Sequence, residues 1–169
     1  MEEREGFTIT RPNRDRAASK ATRAVVILLL LVSAVLVVVV MAGGWDVLQG
    51  AKLVQVAFVL LYLLIAFLVF RWSRGALPVG AALAILLLIF AAVAGPAWFD
   101  RDKEGYTSPA LDDNLLGLLT LLLIPIQALL IAFAMRGFNQ AWNVEEEHPI
   151  DAHGRPPHSP GRPGAPAPI

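Results

Sequence analysis

The chain contains no cysteine. That excludes disulfides, thiol nucleophiles, thiolate metal sites and haem-attachment motifs. The quinone-linked disulfide oxidoreductases, which also favour small helical membrane bundles, are excluded with them. Charge is scarce as well: 17% of the residues are Asp, Glu, Lys or Arg, against about 25% in an ordinary globular protein. None of these charges lies inside the four longest apolar runs. Proton-coupled transporters and pumps place an ionisable group within the membrane to bind and release the coupling ion, and small four-span multidrug exporters depend on an embedded glutamate. The chain lacks both. Its three histidines, His148, His153 and His158, are all near the C-terminus, so no axial ligand is available for a b-type haem in a helical core. No Ser-His-Asp arrangement, phosphate-binding glycine loop or zinc motif can be assembled. A non-enzymatic protein without a cofactor is expected.

What the chain has in abundance is apolar length. Of its 169 residues 56% are hydrophobic, with a mean hydropathy of +0.60. Apolar runs uninterrupted by any charged residue cover residues 24–42, 53–70, 77–99 and 115–135. A helix rising 1.5 Å per residue needs about 20 apolar residues to cross roughly 30 Å of hydrocarbon. The fold class is therefore an all-α integral membrane protein, four transmembrane helices in a bundle with disordered N- and C-terminal tails. Residues 35–40, Val-Leu-Val-Val-Val-Val, favour a strand in water, but a lone strand in lipid leaves its backbone groups unpaired, so helix is expected. The first run spans 19 residues and follows 23 others. That is too long for a signal h-region of about 7–15 residues, so an uncleaved first span is expected despite the loosely cleavage-like Val40-Met41-Ala42.

Charge sorting sets the expected orientation. Arg4, Arg11, Arg14, Arg16, Lys20 and Arg23 precede the first span, Arg71 and Arg74 join the second to the third, and Arg136, Arg155 and Arg162 follow the fourth. The opposite side carries Lys52, Arg101 and Lys103. Eleven basic residues against three indicate that both termini are cytoplasmic. Trp45, Trp72, Trp98 and Trp142 fall at or beyond span ends, where interfacial anchoring is expected. Abundant Ala, Val, Arg, Gly and Pro suggest a bacterial cytoplasmic membrane.

The segments outside the spans divide into four. Residues 1–23 form a basic, polar N-terminal segment with little fixed structure expected over 1–19. Residues 100–114 form an acidic outer loop. Residues 137–147 read as an interfacial helical extension that presents Phe138 and Trp142 on one face. Residues 148–169 hold seven prolines and are expected to be disordered. Pro157, Pro160, Pro163 and Pro166 recur every third residue, along one edge of a polyproline II helix. Such an edge suits a docking peptide, but a plain flexible tail is favoured.

Within the third span Gly80, Ala84, Ala91 and Gly95 fall in about a 60° sector at 100° per residue. Close backbone approach along such a face drives helix association in lipid, which nominates this span as the centre of the bundle. Pro125 in the fourth span removes an N–H donor and is expected to kink it. The intramembrane polar residues are few: Ser33, Gln55, Tyr62, Thr120 and Gln127. Gln55 and Tyr62 are seven apart, as are Thr120 and Gln127, so each pair shares a helix face. Both spans run in the same direction at matched depths, so these faces are expected to meet and hydrogen-bond, as bundle glue in preference to a substrate site.

The outer loop carries five acids against two bases. Asp100, Asp102, Glu104 and Gly105 loosely resemble the opening of a calcium loop, but Leu111 stands where the bidentate glutamate belongs. They are a weak metal candidate only. Asp112, Asp113 and Asn114 suit the N-terminus of the fourth span.

The expected partners are the lipid bilayer and other membrane proteins or further copies of the chain, with no nucleic acid. The first expectation for function is an accessory or scaffold subunit of a larger membrane assembly. A small homo-oligomeric transporter or channel for a neutral solute is the alternative, and an extracytoplasmic sensor using the acidic loop a weaker one.

Overall fold

The computed structural model describes residues 2–4, 7–48, 50–101 and 108–149. Among the described residues four helices are long and apolar enough to cross a membrane: α2 (Ala17–Gly43), α3 (Ala51–Phe70), α4 (Ala76–Phe99) and α5 (Asp113–Asn139). They extend the four apolar runs by up to about two turns into flanking polar sequence, as helices do where polar ends reach headgroups. Before them come strands β1 (Glu2–Arg4) and β2 (Phe7–Thr10) and the single turn α1 (Pro12–Asp15), and after them strand β3 (Glu146–Pro149).

Helices consecutive in the chain are neighbours in space, and α5 closes the ring against α2. Both terminal segments therefore lie at one end of the bundle, here the terminal end, and the α2–α3 and α4–α5 connections lie at the other, the loop end. The α4–α5 seam is the most extensive and the α3–α4 seam the sparsest.

Small residues set these distances. Gly80, Ala84, Ala91 and Gly95 are all buried. A Cβ on Gly95 would stand 2.5 Å from Leu121 Cδ2 on α5, and one on Gly80 would stand 3.3 Å from Ile65 Cγ2 on α3. The expectation that this span is the bundle centre needs correction: α4 is one of four in a ring, with α3 and α5 on either side. Its small face sets how closely two neighbours approach. Pro125 lies within α5 without ending it. At the loop end Asp112 caps α5, its Oδ1 accepting from the N–H groups of Asn114 at 2.9 Å and Leu115 at 3.2 Å, which satisfies donors the first turn leaves free. The Leu111 N–H donates to Gly43 O at 3.1 Å, tying the start of α5 to the end of α2.

The terminal segments depart from the expectation of little structure over residues 1–19. β2 pairs antiparallel with β1 on one side and β3 on the other, with Phe7 opposite Pro149 and Thr10 opposite Glu146. The helical extension expected over 137–147 is also corrected. α5 stops at Asn139, and Ala141 adopts the left-handed region at φ 49°. That turns the chain back across the end of the bundle instead of along the membrane surface.

Candidate functional site: a buried polar relay, a terminal cap and a cleft

The interior of the bundle holds one polar relay. Tyr62 Oη on α3 donates to Gln127 Oε1 on α5 at 2.8 Å. Gln127 Nε2 donates to Ser33 Oγ on α2 at 2.8 Å, and Ser33 Oγ donates to Leu29 O at 2.7 Å. Each of the three side chains donates to an acceptor, as a low-dielectric interior favours. Gln127 and Ser33 are both fully buried. The structure thus brings Tyr62 and Gln127 together and adds Ser33. It does not bring Gln55 to Thr120. The Thr120 hydroxyl donates to Leu116 O one turn back, at 2.7 Å, a self-contained bond that threonine makes readily in a helix. Gln55 Oε1 is buried with no hydrogen-bond partner.

The second assembly is a cap at the terminal end. Trp142, 0% exposed, meets Trp72 edge to face, with ring centroids 5.3 Å apart at 83°. Its indole N–H donates to Gln140 Oε1 at 3.0 Å, and Gln140 Nε2 reaches Thr22 Oγ1 at 3.0 Å. The segment before α2 grips the same turn. Asn13 Nδ2 donates to Ala141 O, Arg14 Nε to Trp142 O and Arg14 Nη2 to Asn143 Oδ1, each at 3.1 Å. Arg11 Nη2 pairs with Glu145 Oε1 at 2.7 Å.

Trp72 is the pivot of this cap. Its backbone is left-handed at φ 63°, a conformation in which a bulky side chain is a true outlier. The Arg23 guanidinium lies 4.4 Å from its ring centroid and that of Arg14 5.9 Å. Arg23 Nη2 also donates to Phe70 O at 2.6 Å, and Arg74 Nε donates to Phe138 O at 2.8 Å. These arginines satisfy the last carbonyls of α3 and α5 and complement the negative ends of those helices. Burial lowers the Arg14 pKa from its ordinary value, the neighbouring Arg11 adds to that, and Glu145 opposes it. Arginine stays charged regardless, so Arg14 is a fixed cation within the cap.

The expectation of four interfacial tryptophans is corrected here. Trp142 and Trp98 are buried in protein. Trp45 alone of the four is exposed, with Lys52 Nζ 4.4 Å from its ring centroid. Sequence reasoning missed the cap because aromatics four apart suggest a helical face, and no glycine marks the turn at Ala141.

The third feature is a cleft of about 320 Å³ toward the loop end, between α3 and α4 and backed by α2 and α5. Its walls are apolar apart from Gln55 and Thr120. Of the weak metal candidates, Asp100 forms the C-cap of α4, whereas Asp102 and Glu104 lie outside the described residues, as does 150–169 of the proline-rich tail. Among the described residues no group of three or more His, Cys, Asp or Glu could hold a metal ion.

Comparison of the chain with protein-family models, curated proteins and solved structures gives no match.

Proposed function

We propose that the protein is a non-enzymatic accessory or scaffold subunit of a larger membrane assembly. In this reading it sits in a bacterial cytoplasmic membrane with both termini in the cytoplasm. The observation that carries it is the cap, where two non-glycine residues, Trp72 and Ala141, are held in the left-handed region. Each such residue costs on the order of 1–3 kcal/mol and persists only where its surroundings over-determine it; strain of this kind clusters at functional sites. Trp72 occupies the C′ position of a Schellman ending to α3, its N–H on Val69 O and the Ser73 N–H on Leu68 O, a place usually taken by glycine, and the tryptophan there is what Trp142 packs against. Arg16, Arg71 and Arg136 are exposed toward the terminal end of the bundle and favour a partner with an acidic face.

The alternative, a channel or transporter for a neutral solute, draws less support. Tyr62 and Gln127 are engaged with each other and Ser33, so they offer no open polar path. The faces available for contact with a second copy are mostly Leu, Val, Ile and Phe.

The test is purification of tagged protein from its native membranes in mild detergent, recording mass and co-purifying proteins. A stoichiometric foreign partner, weakened by Trp72→Ala, is expected. A clean homo-oligomer that carries solute flux in proteoliposomes would overturn the proposal.

A further inference from the structure

We propose that the α3–α4 cleft is a lateral binding site for one acyl chain of an amphiphile that carries a hydroxyl near its headgroup. The seam between these helices is unevenly closed. Toward the terminal end it is sealed where Ile65 meets Gly80 and where Phe58 and Phe90 stack edge to face at 5.9 Å. Beyond Phe58 the helices part. Buried Leu87, Ala91 and Leu123 form the floor, while Ala51, Val54, Phe90 and Ala94 form an exposed rim on α3 and α4. Trp98 and Leu48 line the end nearest the α2–α3 connection. The rim belongs to two apolar, membrane-length helices, so the opening faces hydrocarbon and the bilayer supplies the occupant.

The volume of about 320 Å³ sits at the small end of the roughly 300–1,000 Å³ typical of ligand sites, which likewise are apolar with a few placed polar groups. One chain fits that description better than a two-chain lipid. Gln55 supplies the polar requirement. It lines the cleft, and its Oε1 is buried without a partner, although an unmatched amide oxygen in lipid is expensive. Gln55 lies four residues into α3, about 6 Å along the helix from its start by the rise per residue, close to the α2–α3 connection at the loop end. A hydroxyl both donates and accepts, so it matches a carboxamide in either orientation.

Two ligands with the same chain separate the polar from the apolar contribution: monoolein, which has two free hydroxyls, and methyl oleate, which has none. Each is titrated into full-length protein in phosphatidylcholine nanodiscs, with bound ligand counted by native mass spectrometry. Saturable monoolein binding at one site is expected, about tenfold tighter than methyl oleate, the equivalent of one hydrogen bond of about 1.4 kcal/mol. Gln55→Leu should equalise the two ligands without reducing thermal stability, because it removes an amide that has no partner. Ala94→Trp should abolish saturable binding of both, and an unchanged unfolding midpoint certifies its fold. Equal binding of the two ligands by the native protein, or binding indifferent to Ala94→Trp, would overturn the proposal. So would no saturable binding at all, the result expected if water alone fills the cleft.

Discussion

Tyr62 and Gln127 hydrogen-bond at 2.8 Å between α3 and α5, two helices on opposite sides of the four-helix ring. The bond crosses the diagonal of the bundle, and Gln127 passes it on to Ser33 of α2. Three of the four helices are joined through one carboxamide. Tyr62→Phe removes one donor and should destabilise by about 0.6–2 kcal/mol, the range for interhelical hydrogen bonds in membranes. Gln127→Leu leaves the Tyr62 hydroxyl without its acceptor and takes from Ser33 Oγ the N–H it accepts, while Ser33 keeps its bond to Leu29 O, and should destabilise more than Tyr62→Phe. The double variant should fall short of the sum, because the partner lost in one is already missing in the other. Reversible unfolding in mixed micelles measures all three. A fully stable Gln127→Leu protein would show that the relay holds nothing together.

Gly95 and Leu121 set the spacing of the tightest seam. A Cβ at Gly95 would meet Leu121 Cδ2 at 2.5 Å and Cγ at 2.8 Å, so the leucine or the helix must move. Gly95→Ala should cost about 1–3 kcal/mol as overpacking. Leu121→Ala should recover a good part of that loss in the double variant, since it empties the space the new methyl needs. Unfolding midpoints of the two single variants and the double variant check the coupling, and simple additivity would mean the contact is not the cause.

The four spans were legible because bilayer thickness imposes a length on any apolar run, independently of how the helices pack. Tyr62 and Gln127 were legible for a related reason: two polar side chains at matching depth in lipid must find partners. Gln55 and Thr120 satisfied the same rule and still do not meet, because a threonine hydroxyl can bond the carbonyl one turn back and leave the carboxamide alone. Small-residue spacing marked Gly80 and Gly95 as contact points but not which helices they touch, since a face direction does not fix ring order. Trp142 was misread. Its position four after Phe138 suggested a surface stripe, and only the left-handed turn at Ala141 sends it inward.

The ion pair between Arg11 and Glu145 looks like the clasp of the cap, yet its side chains are 34% and 47% exposed. Pairs this open contribute about 0.2–1 kcal/mol and are screened by salt. Glu145→Gln should therefore lower stability by less than about 1 kcal/mol, with the difference shrinking toward zero near 1 M salt, where the Debye length is about 3 Å. Thermal melts of both proteins at low and high salt measure this. A large, salt-independent loss would mean that the pair is the clasp.

If the ion pair is weak, the cap must be held by Trp142. Its indole is fully buried, stacks on Trp72 and donates to Gln140, and its carbonyl accepts from Arg14. Trp142→Ala empties the volume under the cap and should cost about 3–5 kcal/mol by analogy with other large-to-small core changes. Trp142→Phe keeps most of the packing and loses the N–H bond, so about 1 kcal/mol is expected from that bond. Trypsin separates local from global loss. Arg11, Arg14 and Arg16 precede the first membrane-length helix, so release of the cap should speed cleavage there at least tenfold in Trp142→Ala while the spans stay protected. Glu145→Gln should leave that rate nearly unchanged. Equal cleavage of the native protein, Trp142→Ala and Glu145→Gln would transfer the hold on the N-terminal segment from Trp142 to the backbone contacts made by Asn13 and Arg14.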